Sequence, residues 1–230
     1  MKKAAFIPIK VNSSRVLGKN MRILNDRPLY EWLFSSVAEA DCFDEVFVDT
    51  NVITYPSKKG DKLLKKIEEY GFIHLERREG LDEDWANGND LIVEWESRFG
   101  KEFGWYYQLF VTGPFLNSDT IKDCVSNTSP SFDSVFTYSE VGGFFWFNDN
   151  PLNYQPGILP RSQDLQSIVR ETTALYGISR DSLLKYKCRI GRNPRKVKVD
   201  EFEGLDIDTE MDFKLAEFLV KEGCINLSSE

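Results

Sequence analysis

The sequence predicts an α/β protein with a doubly wound, mostly parallel sheet and a small β excursion. Three observations predict it. Short apolar runs bounded by polar residues alternate with stretches of helical periodicity. Loop-forming polar residues follow the carboxyl ends of those runs, where open α/β sheets bind ligands. The 230 residues, 41% hydrophobic and 29% charged, suit one substantial core, read as a single domain over 1–230.

The first strand is expected over Ala4–Ile9, an apolar run of the kind buried on both faces of a parallel sheet. It breaks into a polar loop holding Lys10, Asn12, Ser13, Ser14, Arg15, Gly18, Lys19 and Asn20. The cations need an anionic counterpart. Backbone N–H groups of Ser and Gly can cradle phosphate oxygens while Lys and Arg neutralise them. The loop is neither GxxxxGK[ST] nor GxGxxG, and a solvated basic turn fits the residue types equally well.

Pro28–Ala40 then carries Leu29, Trp32, Leu33 and Val37 at helical spacing, with Pro in the tolerated first turn. Glu45–Thr50 reads as the second strand. A helix with Leu63, Leu64 and Ile67, closed by Gly71, leads to a strand over Phe72–Glu76. The next helix bears Leu91, Ile92, Trp95 and Phe99, with Asn89 or Asp90 as its expected N-cap. Trp105–Leu116 reads as a buried strand, Asp119–Val125 as a short helix and Ser134–Tyr138 as a further strand.

Val141–Pro160 breaks the pattern, being rich in Gly, Pro, Asn and aromatics. The run Phe144-Phe145-Trp146-Phe147 is too apolar to leave in water. It is either a hairpin folded on its own core or an arm that packs on a second subunit. Lys185–Lys198 is strongly basic and alternates along an expected strand and loop, so a solvated face is expected. Asp206 and Asp208 alternate on an expected strand, which puts both carboxylates on one face. A helix with Phe213, Leu215, Ala216 and Leu219 follows, capped by Asp208 or Thr209. Two like charges on one face repel unless a cation joins them. Mg²⁺ held by one or two carboxylates plus phosphate oxygens is the usual arrangement.

The net charge of −8 argues against nucleic acid as a partner, which needs a basic face. Cys42, Cys124, Cys188 and Cys224 form no CxxC pair, so reduced thiols rather than zinc are expected. The lone His74, in an apparent strand, is read as structural. The apolar part of MKKAAFIPIK is too short for a signal peptide, and no segment approaches a membrane span. No membrane partner and a cytoplasmic location are therefore expected.

Ile7, Pro8, Ser13, Arg15, Gly18, Lys19, Asn20 and Pro28 fall in register, without a gap, on an opening of the form IPAR, then GGSKxxPGKN or xxSxRLPGK. That opening belongs to the cytidylyltransferases that make CMP-activated sugar acids, the CMP-sialic acid and CMP-Kdo synthetases, which the chain resembles. The likeness continues in the same order along the chain. Asp84, Ala86, Asn87 and Gly88 match a DTAS-type stretch; Thr112, Pro114 and Leu116 match LLQPTSPL. Arg161, Gln163, Asp164 and Leu165 match RxQDLP; Asp206, Asp208, Thr209 and Asp212 match DIDTPEDL.

The resemblance implies a Rossmann-like nucleotidyltransferase that joins CTP to a small acidic acceptor with loss of pyrophosphate, using Mg²⁺. Carried over by position, Lys10, Arg15 and Lys19 clamp the triphosphate and, with Asp208, form the catalytic set. Asn12, Ser14, Asn20, Ala86, Asn87 and Gly88 complete the nucleotide site. Thr112, Arg161 and Gln163 meet the acceptor, and Asp206 and Asp208 hold the metal. Gln108 is not carried over by position; it lies two residues before Phe110 on the same expected strand face and is read as an acceptor-site substitute. A homodimer is also implied, with residues 139–165 as an arm that reaches the acceptor site. Lys10 departs from the family's Arg and loses its fork. Leu17 and Gln166 each replace a Pro. Phe110 stands where sialic acid synthetases carry Gln and cannot hydrogen-bond a hydroxyl or carboxylate. Kdo, another nonulosonate or a phosphonate all remain open as acceptor. A glycosyltransferase using Asp206-Ile207-Asp208 as a DxD motif and a non-catalytic nucleotide-binding relative are the alternatives.

Overall fold

A computed structural model describes residues 1–12, 16, 18–83, 85–126 and 131–225. In chain order the strands and helices are β1 (Lys3–Ile9), β2 (Ile23–Leu24), β3 (Arg27–Pro28), α1 (Leu29–Ala40), β4 (Glu45–Thr50), α2 (Lys58–Glu69), β5 (Ile73–Glu76), α3 (Gly88–Phe99), β6 (Trp105–Leu109), α4 (Ser118–Ser126), β7 (Ser134–Val141), β8 (Trp146–Phe147), β9 (Asn150–Pro151), β10 (Ile168–Ser179), α5 (Arg180–Tyr186), β11 (Pro194–Lys198) and α6 (Glu210–Lys221). Seven strands form the main sheet in the order β11-β7-β10-β6-β1-β4-β5. β10 runs antiparallel to both its neighbours, and the other pairings are parallel. The expected mostly parallel sheet is therefore present.

β1 lies inside the sheet, and its alternating side chains feed two cores. Phe6 points to the α3 side and stacks on Trp95 with ring centroids 4.6 Å apart. Ala5, Ile7 and Ile9 point the other way, into a core shared with Tyr30, Leu33 and Phe34 of α1. Fully burying a Phe or Ile side chain in this way contributes about 1.5–3 kcal/mol. Both faces are covered, which is why β1 reads as a continuous apolar run.

Several local expectations change. The strand read over Trp105–Leu116 ends at Leu109, because Gly113 N–H donates to Phe110 O at 3.0 Å and turns the chain. Asp206 and Asp208 lie on an extended segment outside any strand, tied by Ile207 N–H to Thr112 O at 2.8 Å. α3 is capped by Asn87 rather than Asn89 or Asp90, through a reciprocal capping box with Asp90. Thr209 caps α6 with the same device, using Asp212. All four cysteines are free, and half-buried His74 sits 3.4 Å from Glu76 on β5. Among the described residues, no helix is long and apolar enough to cross a membrane.

The aromatic excursion leaves the sheet after β7. It forms the short β8–β9 hairpin, with Phe144 and Tyr154 in edge contact at 5.0 Å. The hairpin does not bury its own aromatics: Trp146 is 58% and Phe147 65% exposed. The basic stretch is ion-paired in part, Arg195 with Asp123 and Lys198 with Glu140, each at 2.8 Å.

Next to the ligand end of the sheet, Arg77 Nε donates to Asp49 Oδ1 at 2.8 Å, and Trp95 Nε1 donates to Asp49 Oδ2 at 2.5 Å. Both charged side chains are only 3% exposed. Asp49→Ala leaves a buried guanidinium without its counter-charge and should cost about 3–5 kcal/mol, read by urea denaturation. A loss under 1 kcal/mol, on the order of a surface pair, would mean that Arg77 finds another partner.

Candidate active site

A cleft of about 730 Å³ opens above the carboxyl ends of β1 and β6 and the first turn of α3. Its lining includes Lys10, Lys19, Asn20, Ala86, Asn87, Gly88, Thr112, Asp206 and Asp208, drawn from four separate stretches of sequence. Ser14 and Arg15, like Ser13, Leu17 and Asp84, lie outside the described residues.

The loop after β1 is held from below. Asn51 Oδ1 accepts Val11 N–H at 3.0 Å, and Asn51 Nδ2 donates to Asn12 Oδ1 at 3.0 Å. Asn12 thus braces the loop and is not among the lining residues. Gly18, at φ 59°, takes the left-handed turn that leads into a 3₁₀ turn over Lys19–Met21. There the Asn20 amide donates to Lys10 O at 2.9 Å, while its Oδ1 is buried and lacks a donor. The buried Lys19 ammonium donates to Ile207 O at 2.5 Å and lies 3.2 Å from Asp208 Oδ1.

Ala86, Asn87 and Gly88 form the α3 wall. Asn87 both caps the helix and faces the cleft. Gln108 is fully buried beneath them. Its Nε2 donates to Gly88 O at 3.1 Å and its Oε1 has no donor. Arg161 and Gln163 are exposed near the base of the aromatic excursion and are not among the cleft-lining residues. Arg161 Nε donates to Asp164 Oδ2 at 2.6 Å.

The carboxylate end rests on β10. Its register breaks between Glu171 and Tyr176, and Thr173 inside the break has φ 59°. A β-branched residue in that region is strained. The Thr173 hydroxyl lies 2.6 Å from Asp206 Oδ2. Burial pushes the Asp206 carboxyl above the usual carboxylate range, against the pull of that hydrogen bond. Asp206 Oδ1 is buried without a donor, whereas the Asp208 side chain is 46% exposed. A hard cation that keeps several waters and takes phosphate oxygens fits this pair. Among the described residues no cluster of three or more His, Cys, Asp or Glu is placed to hold a metal ion.

The sequence reading missed Arg77, Thr173 and Arg189, all of which line the cleft. Arg189 belongs to the stretch expected to be a solvated face, and this residue corrects that expectation. Its Cζ lies 3.7 Å from the Tyr176 ring centroid, over a strand of the main sheet. Only the charge of Arg77 and Arg189 was available as a signal; Thr173 gave none.

A family model described as Cytidylyltransferase matches residues 4–219. The chain belongs to the cytidylyltransferase family. It is 24% identical over 224 residues to post-translational flagellin modification protein B of Campylobacter coli, covering 91% of each chain. It is 23% identical over 223 residues to N-acylneuraminate cytidylyltransferase A of Danio rerio, covering 93% of this chain and 50% of that one. The chain thus spans about half the length of the N-acylneuraminate cytidylyltransferases it matches in Danio rerio and Oncorhynchus mykiss. A solved CMP:2-keto-3-deoxy-manno-octonic acid synthetase complexed with CTP superposes with a TM-score of 0.68 at 16% identity, covering 97% of this cytidylyltransferase and 100% of that chain. The 4-diphosphocytidyl-2C-methyl-D-erythritol synthase of Anaerococcus prevotii gives 0.66 at 11% identity, with 96% of each chain covered. At these identities the structural likeness is one of fold.

The raised Asp206 has a stability consequence in the ligand-free protein. Its protonated form is favoured by the fold, so charging it costs stability as pH rises from the ordinary carboxylate range through its raised value. Asp206→Asn should therefore gain on the wild type over that interval and keep the advantage above it. Thermal melts at pH 5 and pH 8 read this; a variant less stable than the wild type at pH 8 contradicts it.

Proposed function

We propose that this protein transfers a cytidylyl group from CTP to a small acidic sugar, a nonulosonate or 2-keto-3-deoxy-octonate, with release of pyrophosphate. One observation carries the reading. In a chain of this family, Lys10, Lys19 and Asn20 from the opening loop share one cleft with Asp206 and Asp208 from the closing segment. That is the charge pattern a metal-bound nucleoside triphosphate requires.

Displacement at phosphorus depends mainly on positioning and charge neutralisation. The acceptor hydroxyl oxygen forms a new bond to the α-phosphorus, the bond to pyrophosphate breaks, and the hydroxyl proton passes to a basic oxygen or to water. Lys10 offers a compact positive charge to the phosphates. Arg15 adds a fork in this reading, and the amides and hydroxyls of Asn12 and Ser14 belong to the same loop. Lys19 holds Asp208 in place and lends its charge to the same end of the cleft. Asn20 Oδ1, an acceptor without a donor, suits a ribose hydroxyl or the cytosine amino group. Ala86, Asn87 and Gly88 offer backbone and small side chains against the base and ribose. Mg²⁺ bound by Asp206 and Asp208 would polarise the α-phosphate. Thr112 orients the acceptor, the buried Gln108 supports the wall beneath it through Gly88 O, and Arg161 and Gln163 take part if a second subunit folds its arm over the cleft. The exposed Trp146 and Phe147 support such a homodimer, because apolar side chains at that exposure favour a partner surface.

Pyrophosphate release should occur from CTP alone among the four nucleoside triphosphates, and only with Mg²⁺ and an acid from a panel of N-acetylneuraminate, 2-keto-3-deoxy-manno-octonic acid and 2-aminoethylphosphonate. Turnover only with the phosphonate would move the acceptor class; failure to bind CTP would remove the whole reading. Asp208→Ala should lower Mg²⁺-dependent turnover by roughly a hundredfold or more while the fold persists. Unchanged turnover would dismiss the metal assignment. The double substitution Trp146→Asp with Phe147→Asp should convert a dimer to a monomer in sedimentation equilibrium, and a monomeric wild type would dispose of the arm.

A further inference from the structure

Four described cations line the cleft: Lys10, Lys19, Arg77 and Arg189. Lys19 is engaged by Asp208 and Arg77 by Asp49. Lys10 follows the first strand at the phosphate end. Arg189 has no carboxylate within 4 Å among the described residues, and its fork lies over the α3 wall at Gly88 rather than at the phosphate end. Resting on the acidic-acceptor reading, we infer that Arg189 receives the carboxylate of the acceptor and so sets the substrate's charge class.

The geometry around Arg189 is that of a built receptor. Its backbone N–H donates to Asn89 Oδ1 at 3.0 Å, which ties the loop after α5 to the first turn of α3. Its Cζ sits 3.7 Å from the Tyr176 ring centroid and 5.7 Å from that of Phe110. Aromatic faces hold a guanidinium by its plane and leave the N–H edge for hydrogen bonds. Arg189 Nη1 and Gln108 Oε1 converge on Gly88: a Cβ there would lie 2.7 Å from the first and 3.1 Å from the second. Glycine is what lets the fork reach this depth. The fully buried, donor-less Gln108 oxygen can draw one N–H and leave the rest of the fork to the cleft.

Phe110 makes the consequence specific. An amide at that position could serve a hydroxyl or a carboxylate alike, through either its donor or its acceptor. The phenyl ring can do neither. The guanidinium beside it is a pure donor with a fixed charge, so this wall takes an anion in preference to a neutral polar group.

The test uses the full chain with CTP, Mg²⁺, and either N-acetylneuraminate or 2-keto-3-deoxy-manno-octonic acid, each compared with its methyl ester. Arg189→Gln should raise the acceptor KM about a hundredfold and leave the CTP KM within about twofold, which also reports that the fold is intact. Arg189→Lys should fall between, keeping charge without the fork. The wild type should reject the esters, whereas Arg189→Gln should treat acid and ester alike. A rise confined to the CTP KM would make Arg189 a phosphate clamp and overturn the inference. Discrimination of acid from ester retained in Arg189→Gln would overturn it equally. A wild type silent with both acids would instead refute the acidic-sugar reading, and the inference would fall with it.

Discussion

The site depends on where one buried ammonium finds its partners. Lys19 is 188 residues from the Ile207 carbonyl to which it donates, and it meets Asp208 at the same point. A charge with so little access to water must be paired and hydrogen-bonded, or its burial costs several kcal/mol. The opening loop and the closing segment therefore specify each other. Arg22 repeats the tie nearby, donating to both carboxylate oxygens of Glu210 and lying 3.8 Å from the Phe213 ring centroid.

β10 supplies the second constraint. Its reversed direction lets β7 fold back beside it, with the aromatic excursion at the far end of the turn. Its register break then lifts Thr173 toward Asp206. The left-handed backbone at Thr173 stores about 1–3 kcal/mol. Close packing around it offsets that cost: Ala174 and Leu175 are buried, and Gly113 approaches so closely that a Cβ there would come 2.7 Å from Ala174 Cβ.

Much of this was legible in the sequence because the two periodicities differ so clearly. β1 and β4 are short, largely apolar runs, and α1, α2 and α6 carry apolar residues three and four apart. The loop after β1 and the Asp206-Ile207-Asp208 segment stood out by charge, and the fold brings both to the cleft. What was not legible depends on tertiary contacts. β6 stops at Leu109 because Gly113 N–H turns back onto Phe110 O, a turn that propensity does not record. Asp206 and Asp208 alternate like strand residues, yet their segment is tied through Ile207, whose N–H donates to Thr112 O and whose carbonyl accepts from Lys19, rather than by a ladder. Arg189 was assigned to solvent because its neighbours are basic. Lys187, at φ 51°, ends α5 and redirects the chain so that Arg189 turns inward. Charge density alone does not distinguish a guanidinium facing water from one lying on Tyr176.

The same basic stretch explains how an open sheet survives among other proteins. β11 is the edge strand, and it begins with Pro194 and carries Arg195, Lys196 and Lys198 around a single buried Val197. Proline withholds a backbone donor, and long charged side chains along the edge make it a poor template for another strand, although Arg195 and Lys198 are themselves ion-paired within the chain. At the opposite edge, β5 offers only four residues. A stretch that reads as a solvated basic face thus also guards the sheet against edge-to-edge association.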